Sequence, residues 1–215
     1  MLQGTERSLL YATLDEPMSK GERTREQVLE KAAALFNQHG YHGASISDVM
    51  AATGLKKGGI YRHFTSKEEL ALEAFGFAVQ KMRERFDEAL EGKDSALERL
   101  RAIMAVYARI PSDPPVPGGC PILNAAVESD DGNPELKAEA QRVLTGLKQA
   151  LRTIVRTGQE QGELLPELDR EAFANVFVAQ LEGAVMLSKL FGSSTPMRHT
   201  VQHLTAWLDG FVNPA

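Results

Sequence analysis

Residues 45–67 read SISDVMAATGLKKGGIYRHFTSK, and this stretch predicts two short helices joined by a tight turn. In the first helix the apolar residues recur at the i, i+3, i+4 spacing of one helix face, namely Ile46, Val49 and Met50. Gly54 is expected to end that helix, because glycine adopts the left-handed conformation after a helix without a Cβ clash. The second helix begins in the sequence KKGG and carries Ile60 and Phe64, four residues apart, on its inward face. This order of elements is typical of a helix-turn-helix unit.

The second helix and its flanks carry residue types suited to contact with DNA. Basic side chains, tyrosine and histidine can bind phosphates, and paired glycines allow a close approach to a base edge. A serine at a helix N-terminus adds backbone N–H groups that also suit phosphate. We therefore expect the DNA contacts to come from Ser45, Lys56, Lys57, Gly58, Gly59, Tyr61, Arg62, His63 and Lys67. The alternatives are an ordinary loop at the glycine pair and a merely solvated charged face.

Two segments resemble the DNA-binding domain of the TetR family of transcriptional regulators. They are ALFNQHGYHGASISDV, residues 34–49, and ATGLKKGGIYRHFTSKEEL, residues 52–70. The family pattern is Gly-(Val/Leu)-Ser-Lys-Gly-x-(Leu/Ile/Phe)-Tyr-x-His-Phe-x-(Ser/Asn)-Lys. This chain departs from it at Lys56, where serine is common, and at Gly59, where a polar side chain often reads a base. The resemblance covers only about 50 of the 215 residues.

The rest of the sequence predicts an all-α protein with about nine helices in three parts. Residues 1–20 are expected to form a flexible extension, 21–66 a helix-turn-helix DNA-binding domain, and 67–215 a ligand-binding and dimerisation domain. We call residues 21–66 the head and residues 67–215 the body. The sequence PSDPPVPGG, residues 111–119, excludes regular structure in the middle of the body. Cys120–Pro121 is expected to begin the helix that follows it.

Composition and charge fit a DNA-binding protein of the cytoplasm. The chain has 43% hydrophobic and 25% charged residues, a single cysteine, no apolar run long enough to span a bilayer and no secretory signal pattern. Eight basic and six acidic residues give residues 20–70 a net charge of +2, while 16 basic and 23 acidic residues give the remainder −7. This distribution favours binding of DNA by the head, because the acidic body is repelled from phosphates. We expect no membrane partner.

The sequence does not predict an enzyme. It lacks the Gly-x-Ser-x-Gly and His-Glu-x-x-His motifs and a phosphate-binding glycine loop, and we expect no cofactor. His199 and His203 lie four residues apart, which is a metal-ligand spacing, but no cysteine or paired carboxylate lies near them in the sequence. We interpret them as solvated or interface histidines, with a metal site as the alternative.

Apolar residues of the body are assigned to an effector pocket and to a dimer interface. The pocket is expected to hold a small, mostly apolar molecule and to be lined by Phe77, Met104, Tyr107, Cys120, Asn124, Leu147, Leu151, Phe173, Phe177 and Gln180. Because this set contains no arginine or lysine, a multiply charged ligand is not expected. The last two helices are too apolar for surface helices, and we assign to the dimer interface Phe177, Leu181, Ala184, Val185, Val201, Leu204, Trp207 and Leu208. Core burial within one chain is the alternative.

The sequence GCPILN, residues 119–124, resembles a Gly-Cys-x-x-x-Asn segment of one TetR subgroup. Cys120 would stand at a helix N-terminus, where the pKa of a thiol falls, so a redox-sensing cysteine is one interpretation. A small cysteine that packs beside the pocket is the other. The family resemblance implies a homodimeric repressor that a small effector releases from a pseudo-palindromic double-stranded operator. The alternatives are a thiol-based redox-sensing regulator and an activator.

Overall fold

The computed structural model describes residues 19–129 and 133–214, and within these ranges the chain forms nine α-helices and no β-strand. The helices are α1 Lys20–His39, α2 Ile46–Thr53, α3 Lys57–Tyr61, α4 Lys67–Leu90, α5 Ala96–Arg109, α6 Pro121–Ser129, α7 Pro134–Glu160, α8 Arg170–Phe191 and α9 Thr195–Asp209. The all-α prediction is therefore confirmed. Most of the predicted N-terminal extension, residues 1–18, lies outside the described residues. Its last two positions are the N-cap Ser19 and Lys20, the first residue of α1.

The helix ends of the head follow from local chemistry. Ser19 and Ser45 each form a capping box, in which the serine oxygen and an acidic side chain three residues later satisfy free backbone N–H groups. Gly54 ends α2 in the left-handed conformation, with φ of 71°, as predicted. Ser45 and Gly54 therefore set the two ends of α2 and separate it from α3.

Helix α4 belongs to two hydrophobic cores. Its first half contributes Leu70 and Phe75 to a core that it shares with α1, α2 and α3. Its second half contributes Met82 to the core of the body, and Phe86 and Leu90 pack against that core. The predicted boundary between head and body therefore falls at the start of a helix that joins them physically. No helix in the described ranges is long and apolar enough to cross a membrane.

The segment between α5 and α6 is irregular, as its prolines and glycines predict, and it is held against the head. Asn37 of α1 is 3% exposed, and its side-chain amide donates hydrogen bonds to the carbonyls of Pro117 and Gly119 at 3.0 and 3.2 Å. Gly118 has φ of 119° and packs so closely that a Cβ there would stand 2.3 Å from the Asn37 carbonyl oxygen. Glycine is required at this position for both reasons.

Candidate DNA-binding surface, effector cavity and dimer face

Helix α3 is anchored by its apolar side and leaves its polar side open. Ile60 and Phe64 are 0% and 1% exposed and belong to the core of the head. The exposed residues of α3 and its flanks are Lys56, Lys57, Gly58, Tyr61 and Arg62, and Gly59, His63 and Lys67 are partly exposed. The Lys57 ammonium lies 5.7 Å from the centre of the Tyr61 ring, so a cation–π contact keeps both on one side of α3. These residues form one accessible surface.

Ser45 has a structural task besides the predicted contact with DNA. Its hydroxyl accepts the Asp48 N–H at 3.2 Å, and its own N–H and hydroxyl donate to the Asp48 carboxylate at 2.7 Å. These hydrogen bonds hold the pKa of Asp48 below its usual range. A phosphate at the N-terminus of α2 would therefore lie near a carboxylate, and contact through Ser45 stays a prediction.

Replacement of Gly58 by alanine should raise the folding stability of the head and lower its affinity for DNA. Apart from the local helix backbone, no atom of the described residues lies within 4 Å of the place where a Cβ would stand at Gly58, so Gly58→Ala should raise the free energy of unfolding by about 0.5–1 kcal/mol. The added methyl group would nevertheless stand between α3 and a base edge. We expect operator affinity to fall about tenfold, a loss of about 1.4 kcal/mol.

The matched control is Gly76→Ala, at an exposed glycine of α4 whose Cβ position is equally open. It should stabilise the fold to a similar degree and leave operator affinity unchanged. Thermal melts and fluorescence anisotropy with labelled operator DNA give the two readouts. Equal operator affinity of Gly58→Ala and the wild type would remove this part of α3 from the DNA interface.

The body contains a cavity of about 440 Å³, open to solvent on one side, between α4, α5, α6 and α7. Its walls are mostly apolar and include Val79, Phe86, Ile103, Ile122, Leu147 and Ile154. Charged side chains also line it, namely Arg83, Asp87, Arg99 and Arg142. Its volume lies in the range of about 300–1,000 Å³ that is typical of small-molecule pockets. Among the predicted pocket residues Leu147 lines this cavity, and the expectation of a lining without arginine is wrong.

The other predicted pocket residues lie elsewhere, because their helices are apolar on two sides and the sequence does not say which side faces the cavity. Four of them, at most 2% exposed, are buried in the body core: Met104, Leu151, Phe173 and Phe177. Phe77 packs against the core of the head and Gln180 is half-buried on α8. Asn124 donates to the backbone carbonyl and side-chain oxygen of Asn37 at 3.0 and 2.8 Å.

Tyr107 and Cys120 meet at a buried carboxyl group rather than at the cavity. The Tyr107 hydroxyl and the Cys120 thiol donate to the same oxygen of Glu182 at 3.0 and 3.1 Å, and the other Glu182 oxygen has no hydrogen-bond partner within the described chain. Burial raises the pKa of Glu182, and burial together with the Glu182 charge raises the pKa of Cys120 well above its usual range. The expected fall in the thiol pKa at the helix N-terminus is therefore wrong.

The predicted dimer residues pack mostly inside one chain. Those buried in the body core, at most 2% exposed, are Phe177, Leu181, Ala184, Val185, Leu204 and Leu208. Val201 and Trp207 are half-buried against the same core, and the Trp207 ring stacks on that of Phe173 with centroids 5.2 Å apart. These side chains are therefore buried within one chain, which was the alternative to a dimer interface. For the six fully buried residues the assignment to a dimer interface is wrong.

A different side of α8 is both apolar and exposed. Its large residues are Val176, Met186, Leu187, Leu190 and Phe191, with Leu190 and Phe191 exposed by 72% and 69%. We call this set the α8 apolar face. The sequence of α8 has apolar residues on nearly every side of the helix, which indicates an interaction surface. The pattern does not show which side faces the core and which side is exposed. Exposed apolar groups at this density mark an interaction surface.

Glu128 of α6 connects the body to the head, a role that no motif in the sequence indicates. Its carboxylate accepts hydrogen bonds from the backbone N–H groups of Tyr41 and His42 at 2.7 and 2.6 Å, in the link between α1 and α2. Gly40 has φ of 83°, and a Cβ there would stand 2.8 Å from a Glu128 oxygen. We call these contacts the Glu128 bridge. Because Ile122 of the same short helix lines the cavity, α6 touches both the cavity and the head.

The predicted histidine pair is exposed. His199 and His203 both lie on the outer side of α9. In the parts of the chain that the structure describes, no group of three or more histidine, cysteine, aspartate or glutamate side chains is arranged to hold a metal ion. The pair therefore has no third ligand in the described chain.

Comparison with known proteins extends the resemblance beyond the head. Residues 28–74 match the family described as "Bacterial regulatory proteins, tetR family", and residues 96–204 match "Tetracyclin repressor-like, C-terminal domain". Among curated relatives, the transcriptional repressor DhaR of Mycobacterium sp. (strain GP1) is 25% identical over 174 residues, which cover 80% of this chain and 86% of that protein.

Solved structures agree in fold over almost the whole chain. A TetR transcriptional regulator from Chloroflexus aurantiacus is 47% identical, with a TM-score of 0.89 over 92% of this chain and all of that one. A regulator from Saccharomonospora viridis, solved in complex with choline, is 26% identical, with a TM-score of 0.75 over 89% of this chain and 99% of that one. Both matched families consist of DNA-binding regulators and not of enzymes. The chain belongs to the TetR family of bacterial transcriptional regulators.

Proposed function

We propose that the protein is a homodimeric repressor that a small, mostly apolar effector releases from a pseudo-palindromic operator. The observation that carries the proposal is the position of the 440 Å³ cavity, because two of its wall helices also contact the head. Helix α4 enters the core of the head with its first half and lines the cavity with its second half. Helix α6 lines the cavity with Ile122 and holds the head through the Glu128 bridge.

The effector acts by a difference in affinity between two conformations. A molecule in the cavity lowers operator affinity only if it binds the conformation that does not fit DNA more tightly than the one that does. Displacement of α4 and α6 by a bound molecule would change the separation and angle of the two heads. Two heads that no longer match successive major grooves lose the advantage of binding together.

The relatives support the repressor and the small-molecule parts of the proposal. DhaR is named a repressor, and the S. viridis regulator holds choline, a small organic molecule. For this chain, however, the three arginines that line the cavity disfavour a cation such as choline. An uncharged or negatively charged effector is the better match.

The redox alternative has less support than the cavity. A thiol reacts as its thiolate, and burial beside Glu182 raises the pKa of Cys120 and keeps it protonated. Cys120 is also 1% exposed, so an oxidant would have to enter the core. We therefore favour a regulator that binds its effector in the cavity.

A cavity-filling substitution tests the proposal. Gly146 of α7 is exposed at the edge of the cavity, and apart from its own helix backbone no atom of the described residues lies within 4 Å of the place where a Cβ would stand. Gly146→Phe should therefore fold and bind operator DNA as the wild type does. A panel of apolar and amphiphilic compounds should release DNA from the wild type and fail with this variant.

The control is Gly76→Phe, which adds the same ring at an exposed position of α4 outside the cavity lining. It should keep the response to every active compound. Release of DNA from Gly146→Phe at the wild-type concentration of compound would show that the effector binds elsewhere. Fluorescence anisotropy of labelled operator DNA measures the release.

A further inference from the structure

We propose that the effector is an amphiphile with one negatively charged group, such as a carboxylate, which pairs with Arg99 at the wall of the cavity. The inference rests on the proposed function, since it takes the cavity as the effector site, and adds the chemical class of the ligand. A chain of this class places its apolar part against the apolar walls and its charge against the guanidinium group.

One nitrogen of the Arg99 guanidinium group is buried without an acceptor among the described residues. Arg99 lines the cavity and is only partly exposed, and its Nε atom has no hydrogen-bond partner in the part of the chain that the structure describes. None of the ion pairs among residues 19–129 and 133–214 includes Arg99. A buried donor without an acceptor is costly and uncommon in folded proteins. An acceptor supplied by a ligand would satisfy it.

Acidic groups at the cavity, beside its lining residues and at the N-terminus of α5 are engaged elsewhere or lie in solvent. Glu163, at the N-terminus of α5, accepts the backbone N–H groups of Ala96 and Leu97 at 2.8 and 3.4 Å. Glu139 accepts hydrogen bonds from Arg142. Asp87 lines the cavity but is exposed, and it forms no ion pair with Arg99 among the described residues. Arg99 is therefore the charged group at the cavity that most needs an anion.

The preference for a negative charge rests on the Arg99 guanidinium group itself. Arg99 is the fourth residue of α5, and the backbone N–H groups at this end of the helix are already bound by Ser95 and Glu163. The guanidinium charge attracts an anion and repels a quaternary ammonium group. The cavity therefore distinguishes ligands of equal length by the sign of their head group.

Three probes with the same ten-carbon chain test this: decanoate, decanol and decyltrimethylammonium. Isothermal titration calorimetry with the full chain, without DNA, should detect decanoate binding more tightly than decanol, and decyltrimethylammonium binding least. Arg99→Met keeps an unbranched apolar stem and removes the charge, so it should fold. It should weaken decanoate binding by about 10- to 100-fold, the loss expected for a hydrogen-bonded charge pair, and leave decanol binding unchanged.

Two further variants separate charge from shape. Arg99→Lys keeps the charge and should retain a large part of the preference for decanoate over decanol. Arg101→Met makes the same change at an exposed arginine of α5 that pairs with Asp209 at 2.8 Å, and it should bind all three probes as the wild type does. Thermal melts in the presence of each probe give an independent readout, because a ligand that binds only the folded state raises the melting temperature.

The inference is overturned if the wild type does not bind decanoate, if it binds decanol equally well, or if Arg99→Met binds decanoate as tightly as the wild type. Failure of the proposed function looks different. If decanoate binds in an Arg99-dependent way but does not release operator DNA, the anion site stands and the role of the cavity in DNA release is wrong.

Discussion

The double variant Leu190→Glu, Phe191→Glu should be a monomer that binds operator DNA about 10²- to 10⁴-fold more weakly than the wild type. Both side chains are apolar and mostly exposed at the end of α8, which is where we expect the second subunit to pack. Two carboxylates in that interface would be desolvated without partners. The loss of affinity follows because a dimer delivers its second head to the operator at a high effective concentration. Sedimentation velocity gives the oligomeric state and anisotropy gives the affinity.

Val127→Glu is the matched control for this experiment. Val127 is 68% exposed, much like Phe191, but it lies on α6 outside the α8 apolar face. This variant should remain a dimer with unchanged operator affinity. Ala184→Arg serves a different purpose, since Ala184 is 2% exposed in the core of one chain, and the variant should lose folding stability itself. A dimeric Leu190→Glu, Phe191→Glu protein at micromolar concentration would rule out the α8 apolar face as the interface.

Glu128→Gln should lower the free energy of unfolding by about 2–3 kcal/mol and make operator affinity insensitive to the effector. The carboxylate accepts two backbone N–H groups of the link between α1 and α2, at 2.7 and 2.6 Å. Glutamine offers a single acceptor oxygen, and its NH₂ group would face one of the two donors. The head would then be held less firmly by α6, so a shift of α6 at the cavity would no longer reach it.

The control is Glu88→Gln, which removes the same charge at an exposed position of α4. It should change neither the stability in a urea titration nor the release of DNA by the effector. A Glu128→Gln protein that is destabilised but still releases DNA normally would leave the Glu128 bridge with a structural role only. Coupling between cavity and head would then have to pass through α4.

The head was predictable from sequence because its information is local. Gly54 ends α2, and the four-residue spacing of Ile60 and Phe64 orients α3 against the core, so neighbouring residues determine the motif. The irregular segment 111–119 follows in the same way from its prolines and glycines. The DNA contacts assigned to Lys57 and Tyr61 remain predictions, although both side chains are exposed as the assignment requires.

The sites of the body depended on which helix faces meet, and the sequence does not contain that information in a readable form. On α5, Ile103 faces the cavity while the adjacent Met104 packs in the core, and both are apolar. On α8, Ala184 is buried and Leu190 is exposed, although residue type alone would place the larger leucine in the core before the alanine. Hydrophobic periodicity shows which side of a helix faces solvent. When a helix is packed on several sides, the periodicity no longer distinguishes one side from another.

The charged groups were misjudged for a related reason. Arg99 reads as a surface residue of an amphipathic helix, and only the approach of α4 and α7 brings its side chain to a cavity wall. The N-terminus of α6 was expected to lower the pKa of the Cys120 thiol. Glu182, which is 62 residues away in the chain, lies beside the thiol instead. The pKa of a buried group depends on its desolvation and on neighbours that are distant in sequence, so the tertiary structure alone determined both of these sites.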